Sequence, residues 1–178
     1  MSSLYLYKIF NFRNIIAPNA NTIVSGGFPP LQIKLKGVRT MNDYDALETI
    51  LKSTEMGMKG ISTVMPMVKS PKLRSELKRQ YERYSYHACK SAAQIRSMNR
   101  NIKHVGTMSD MALKINAHMK GNNDSKIAEM TINGSSMGTV KLNRILNNSA
   151  NTSPAVIHQV KGLLDVEQTA LEKLKSYL

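Results

Sequence analysis

Three polar side chains occupy positions where a helical pattern would otherwise place apolar residues. Tyr84 and His87 lie one helical turn apart beside a seam of residues spaced by three and four, and Glu167 lies within a second such seam. An inward imidazole and carboxylate could hold one metal ion weakly, or they could form a hydrogen-bonded pair in the core. We favour a His87–Glu167 pair beside Tyr84, because two ligands seldom retain a divalent ion and a lone buried carboxylate is costly.

No complete catalytic arrangement accompanies these residues. Cys89 is the only cysteine, and it lies two positions from His87, so the two side chains do not share a helix face. A single thiol excludes an internal disulfide and a CxxC metal site, and it favours a reducing cytoplasm. We therefore predict a cytoplasmic protein without catalytic residues or a cofactor.

The segment that carries Tyr84 and His87 has the signals of one long helix. Ser70 can cap its start and Pro71 fits the first turn, so the predicted helix runs from Ser70 to Lys103. The inward face predicted from the spacing contains Leu73, Leu77, Tyr81, Tyr84, Ala88, Ser91 and Ile95.

The helix that comes before it is marked by similar signals. Asn42 or Asp43 can cap its start, and Pro66 should kink or end it near Met65. The link to the next helix is short, and a short link between two amphipathic helices implies antiparallel neighbours.

Two further helices follow a longer connection. The third helix is predicted from about 125 to 146, with Gly134 and Met137 among its inward positions. A brief helix at 109–119 is predicted within the connection, which would run the length of the bundle. The fourth helix begins after a second Ser-Pro pair, and its predicted seam contains Ile157, Val160, Leu164, Glu167, Leu171, Leu174 and Leu178. The predicted fold is an all-α, up-down four-helix bundle with a long crossover that contains a short helix.

Length and charge divide the chain into two parts. The 178 residues suffice for one domain, and the net charge is +13. Residues 1–40 hold five basic residues, no acid, and clusters of Asn, Pro and Gly, so we expect a poorly ordered arm before a bundle at 41–178. A second explanation stays open: Lys36-Gly37-Val38 can be encoded by a purine run that resembles a ribosome-binding site before Met41.

A row of basic residues lies on the predicted second helix. Lys72, Arg79, Arg83 and Lys90 share the face opposite its seam, and a solvated outer face is the favoured interpretation. Weak, non-specific binding of anions is the alternative, whereas no motif for a specific nucleic acid accompanies the row. No run of about 18 apolar residues occurs, so a membrane partner is not expected.

Two local phrases add a family resemblance. GMKGI at 57–61 and VKSPKLRSEL at 68–77, together with the inward His87, resemble the rubrerythrin-like branch of the ferritin-like superfamily, especially its bacterial domains of unknown function. The resemblance implies a ferritin-like bundle, and such bundles often pair side by side, which makes a homo-oligomer one partner to expect.

The resemblance also implies a di-iron site from which this sequence departs. Di-iron members supply a Glu from each of two helices and a Glu-x-x-His from each of the other two. Tyr84 replaces the Glu before His87, and Ala170 replaces the His after Glu167, so at most two of the six ligands remain. We therefore expect a non-catalytic bundle with a structural or interaction role. Weak binding of iron or manganese and a basic module for anionic partners are the alternatives.

N-terminal sequencing of the native protein separates the two explanations for residues 1–40. If Met41 is the native start, the first residue detected is Met41 or Asn42. A native first residue upstream of Met41 contradicts the shorter start and leaves the poorly ordered arm as the expectation.

Overall fold

The computed structural model describes residues 40–106 and 124–178, and the helices in these ranges form two hairpins. The first hairpin consists of α1 (Asp43–Val64) and α2 (Pro71–Ser97), and the second of α3 (Asp124–Asn147) and α4 (Pro154–Leu174). Short 3-10 turns at Met65–Met67 and Lys175–Tyr177 follow α1 and α4. The all-α prediction is confirmed for the described residues, which contain four long helices and no strand.

The helices begin where capping side chains precede them. Asn42 accepts a hydrogen bond from the Asp45 amide at 2.9 Å, and Ser70 accepts one from Leu73 at 3.3 Å. Ser153 plays the same part at α4, since its hydroxyl accepts from the Val156 amide. Each cap satisfies an amide that the first turn of a helix leaves without a partner.

The second helix is shorter than the sequence predicted. It ends at Ser97 and not at Lys103, because Asn99 adopts a left-handed backbone conformation with φ of 54°. Asparagine tolerates this conformation better than most residues, and it stops the helical path. The prediction that Pro66 ends the first helix near Met65 is confirmed.

After α2 the chain turns back along α1. Arg100 lies over the ring of Tyr44, and further along, Glu55 accepts a hydrogen bond from the Val105 amide at 2.8 Å. The Lys59 ammonium donates to the carbonyl oxygens of Val105 and Gly106. Residues 100–106 therefore run alongside α1, from its first turn toward its C-terminal turns.

The third helix begins at the opposite end of the bundle from the end of α2. Asp124 accepts hydrogen bonds from the amides of Lys69 and Ser70, so α3 begins where α1 ends and α2 begins. The two described ends of this connection therefore lie at opposite ends of the bundle. The helix predicted at 109–119 and the arm predicted at 1–40 lie outside the described residues, apart from Thr40.

The ends of the two hairpins are also tied together near Met41. The Met41 amide donates to the Asn148 carbonyl at 2.8 Å, and Asp43 accepts from the Ser153 amide at 2.6 Å. The turn between α3 and α4 thus packs on the start of α1. As a result, α3 is antiparallel to α1 and α4 is antiparallel to α2.

The predicted core face is nearly correct on α2 and rotated on α3. On α2, six of the seven predicted residues are buried, but Tyr81 is 38% exposed and Gln80 is buried in its place. On α3, Gly134 and Met137 were predicted inward and are exposed, while the buried face runs through Ala128, Ser135, Gly138, Leu142 and Ile145. The small residues Ser135 and Gly138 are the ones that let the middle of α3 approach its neighbours. Leu178, predicted as inward, is also exposed.

Within residues 40–106 and 124–178, no helix combines the length and the apolar character needed to cross a bilayer.

Candidate functional site

A buried hydrogen-bond network connects three helices at the middle of the bundle. The Tyr84 hydroxyl of α2 donates to Oε2 of Glu167 on α4 at 2.7 Å. The Gln80 amide donates to the Tyr84 oxygen at 2.8 Å and to Oγ of Ser135 on α3 at 2.9 Å. Tyr84 is 4% exposed and Glu167 is 3% exposed, so these groups depend on one another for hydrogen bonds. We call these four residues the central network.

Two glycines make room for the central network. A Cβ atom at Gly57 of α1 would come within 2.8 Å of Cδ2 of Tyr84. A Cβ atom at Gly138 of α3 would come within 3.0 Å of Cδ of Glu167 and still closer to Oε1. Each buried polar side chain therefore fills a notch that only glycine leaves open on the facing helix.

Burial changes the acidity of both partners of the central hydrogen bond. It raises the pKa of Glu167 from 4.5 to about 7, even though hydrogen bonds from Tyr84 and Ser135 favour the charged form. Burial, the charge of Glu167 and the hydrogen bond to it raise the pKa of Tyr84, although hydrogen bonds with Ser135 and Gln80 oppose this shift. The phenol therefore stays a neutral donor, while the carboxyl group exchanges a proton near neutral pH.

An apolar groove of about 190 Å³ lies over the central network between α1 and α3. Its walls include Met56, Met130 and Met137, and Lys141 also lines it. Tyr84 and Glu167 lie in its lining, so the network borders a surface depression that is otherwise mostly apolar. Methionine side chains are flexible and adapt to differently shaped partners.

The predicted hydrogen bond between His87 and Glu167 is corrected by the structure. Glu167 bonds to Tyr84, one turn before His87, because the longer phenol reaches across to α4. His87 is 7% exposed, its Nδ1 atom has no hydrogen-bond partner, and its ring meets Tyr86 edge to face. His87 therefore lies beside the central network without joining it.

The predicted basic face lies at the surface of the bundle, and three of its residues line a groove there. Lys72, Arg79 and Arg83 are exposed, and Lys90 is half-buried. Arg79, Arg83 and Lys90 line a second groove, which lies between α2 and α4 and also contains His87, whereas Lys72 does not line it. The exposure of these residues agrees with the prediction of an outer face, and the groove is a feature that their spacing did not predict.

The residues around Glu167 do not fit a di-iron centre. Within the described ranges, no group of three or more His, Cys, Asp or Glu side chains converges on one point. The buried polar residue of α1, Thr54, bonds through its hydroxyl to the carbonyl oxygens of Ile50 and Leu51 at 2.9 Å. The donors that reach Glu167 are a phenol and a hydroxyl, which are poor ligands for iron while they are protonated.

Several residues of the site were missed by the sequence analysis. Gln80 lies four positions before Tyr84, so it shares a helix face with it, and this spacing was the available signal. Ser135 and Gly138 lie in a seam of small residues on α3, which competes with a seam of methionines one position away. No local signal distinguishes Gly57 and Gly138 from other helical glycines, because the need for them comes from the facing helix.

The fold and the central network together define a four-helix protein with a hydrogen-bonded polar core. The chain belongs to the family described as a domain of unknown function (DUF2383), whose model matches residues 42–148. The matched range covers α1, α2 and α3 and ends before α4, the helix that carries Glu167. No curated protein and no solved structure is significantly similar to the chain.

The raised pKa of Glu167 predicts how stability depends on pH. Between pH 4.5 and about 7 the folded chain keeps a proton that the unfolded chain releases, so the contribution of this site to stability falls as pH rises. At about 1.4 kcal/mol per pKa unit the fall is roughly 3 kcal/mol. Glu167→Gln keeps a neutral acceptor for Tyr84 and removes the titration, so the variant should gain in stability over the wild type across this range.

Urea unfolding of the wild type and of Glu167→Gln over this pH range measures the difference between their free energies of unfolding. Glu129→Gln, which removes an exposed carboxylate from α3, is the matched control and should leave the pH dependence of the wild type unchanged. Parallel curves for the wild type and Glu167→Gln would contradict the raised pKa.

The glycine notches predict opposite effects for neighbouring glycine substitutions. Gly57→Ala and Gly138→Ala should lower the free energy of unfolding by about 1–3 kcal/mol, because the new methyl group displaces Tyr84 or Glu167. Gly60→Ala and Gly134→Ala lie in the same two helices, and a Cβ atom there has nothing within 4 Å. These two controls should raise the free energy of unfolding by about 0.5–1 kcal/mol through helix propensity. Thermal and urea unfolding of the four variants test the prediction, which fails if both members of a pair shift stability in the same direction.

Proposed function

We propose that this chain is a non-catalytic, ferritin-like bundle with a structural or interaction role, in which a protein hydrogen-bond network replaces the metal centre. The carrying observation is the 2.7 Å hydrogen bond from Tyr84 to Glu167. In a di-iron bundle the metal ions supply the positive charge that balances buried carboxylates. Here the neutral phenol of Tyr84 donates a hydrogen bond to Glu167, and protonation of Glu167 near neutral pH removes its negative charge.

The topology supports the ferritin-like part of this proposal. Ferritin-like proteins join two antiparallel helix pairs by a long connection that crosses the bundle. In this chain the connection between α2 and α3 starts beside the first turn of α1 and ends beside Ser70, after α1. The central network also lies near the middle of α2 and α3, the level at which ferritin-like bundles place inward ligands.

The surface of α3 supports the interaction part. Met137 and Val140 are large apolar side chains, both more than half exposed, and Met137 borders the apolar groove between α1 and α3. Exposed apolar side chains next to an apolar groove favour contact with another protein surface. A second copy of the chain is the partner that the ferritin-like resemblance implies, and the single Cys89 favours a cytoplasmic location.

Metal analysis tests the replacement of the metal centre. The chain is produced without a tag in medium supplemented with iron and manganese, and the bound metal is measured after purification. We expect far less than one iron or manganese ion per chain, and no change in the melting temperature when Fe(II) or Mn(II) is added, because only a metal that binds the native state stabilises it.

Glu167→Gln is the control for that experiment. If the small residual metal content is adventitious, it is the same in the variant. Near-stoichiometric iron or manganese in the wild type, lost in Glu167→Gln, would overturn the proposal and favour the alternative of a metal-binding bundle.

A further inference from the structure

The groove between α2 and α4 has the size of a small-molecule site. Its volume is about 370 Å³, within the range of about 300–1,000 Å³ that is typical of ligand pockets. Arg79, Arg83 and Lys90 line it from α2, and Lys173 lines it from α4. Two histidines, His87 and His158, also belong to the lining, so the groove is rich in cationic and hydrogen-bonding groups.

The positive charges of this groove are only partly neutralised. Glu76 pairs with Arg79 and lies 3.7 Å from the Lys173 ammonium. Asp165 is the second carboxylate of the lining. Within the described residues, Arg83 and Lys90 form neither an ion pair nor a hydrogen bond. Four cations therefore face two carboxylates, and the unpaired cations are Arg83 and Lys90.

His87 lies between these two unpaired cations. It follows Arg83 by four positions and precedes Lys90 by three, so all three share one face of α2. Its Nδ1 atom is buried and has no hydrogen-bond partner, which costs free energy unless a partner is supplied from outside the described residues. Burial, and then the positive charges of Lys90 and Arg83, also lower the pKa of His87, which favours the neutral imidazole.

A second orphaned atom lies in the lining of the same groove. Gln159 is 2% exposed, and its side-chain nitrogen donates to Oγ of Ser91 at 2.6 Å. Its Oε1 atom has no partner and requires a hydrogen-bond donor. The lining residues therefore combine cationic side chains with two buried polar atoms, Nδ1 of His87 and Oε1 of Gln159, that have no partner among the described residues.

We propose that this groove binds a phosphate group, as inorganic phosphate or as a small phosphate monoester, between Arg83, His87 and Lys90. Arg83 and Lys90 donate charge-assisted hydrogen bonds to the anionic oxygens, and the imidazole provides one more polar contact. Sulfate has a similar shape and charge, but its oxygens are less basic than those of a phosphate dianion and accept weaker charge-assisted hydrogen bonds.

The phosphate site is independent of the proposed function. His87, Arg83 and Lys90 are not members of the central network, so metal at Glu167 would overturn that proposal and leave this one intact. The limited volume of the groove favours a small ligand over a nucleic acid strand, which would need a continuous basic track.

Titration of the full chain with inorganic phosphate, phenyl phosphate and sulfate tests the site. Isothermal calorimetry gives the affinities, and the ¹⁵N signals of the His87 ring report contact with the ligand. We expect one saturable site per chain, with phosphate or phenyl phosphate bound more tightly than sulfate, and a shift of the His87 signals on binding. The relative affinities of the first two ligands identify the free ion or the ester as the preferred form.

Charge-matched variants distinguish a built site from general attraction. Arg83→Gln/Lys90→Gln should weaken phosphate binding by at least about tenfold, because two charge-assisted hydrogen bonds are lost. Lys72→Gln/Lys78→Gln removes the same charge from exposed positions of α2 outside the groove, and it should change the affinity by less than about twofold. Equal losses in the two double variants would overturn the proposal.

A neutral substitution gives a second and independent test. Gly162 lines the groove, and a Cβ atom there would lie 3.5 Å from Cε1 of His87, which is ordinary contact. Gly162→Leu therefore adds apolar bulk to the groove next to His87 without changing its charge. This variant should abolish phosphate binding while its melting temperature stays at or above that of the wild type. Retained phosphate binding in Gly162→Leu would overturn the proposal. A short oligonucleotide that displaces phosphate, and whose affinity falls equally in both double variants, would also overturn it.

Discussion

A carboxyl group in the middle of a helical bundle must be neutralised or given hydrogen bonds, and Glu167 obtains both from the protein. The Tyr84 hydroxyl supplies the hydrogen bond, and burial raises the pKa of Glu167 to about 7, so that a proton is available near neutral pH. The Gln80 side chain donates a hydrogen bond to the Tyr84 oxygen, which therefore acts as both donor and acceptor. The remaining features of the core follow from the need to complete this network.

The same hydrogen bond fixes how the two hairpins fit together. Tyr84 belongs to the first hairpin and Glu167 to the second, and each reaches a glycine on the neighbouring helix, Gly57 or Gly138. Each glycine lies in the same hairpin as the side chain that it admits, so the notches fix α1 against α2 and α3 against α4. A shift of one hairpin against the other would break the hydrogen bonds from Tyr84 to Glu167 and from Gln80 to Ser135. Apolar contacts alone tolerate such shifts more readily, because they are not directional. The polar core therefore specifies one register, at some cost in stability when Glu167 is charged.

Local signals in the sequence were enough for the helices and not for their contacts. Ser70 and Ser153 mark the starts of α2 and α4 because capping depends on residues only three positions apart. The early end of α2 at Asn99 was not predicted, because the apolar pattern continues past it. On α3, one possible inward face contains methionines and another contains small residues, and both have helical spacing. The close approach of Glu167 to Gly138 determines that the face with the small residues is buried. The polar residues Tyr84, His87 and Glu167 were identified as inward-facing, but their pairing depends on reach across the bundle, which spacing along one helix does not encode.

One stretch of α2 supplies both the central network and the charged groove. Tyr84 faces the centre, whereas its neighbour Arg83 and the next-turn His87 line the groove toward α4, and Gln80 lies at the border of both. Since a helix turns every 3.6 residues, adjacent positions of α2 face different sectors and can change independently. A change in the central network therefore does not require any change in the groove. Within the described residues, the unpaired cations Arg83 and Lys90 lie one helix face away from Tyr84, at the surface of the bundle.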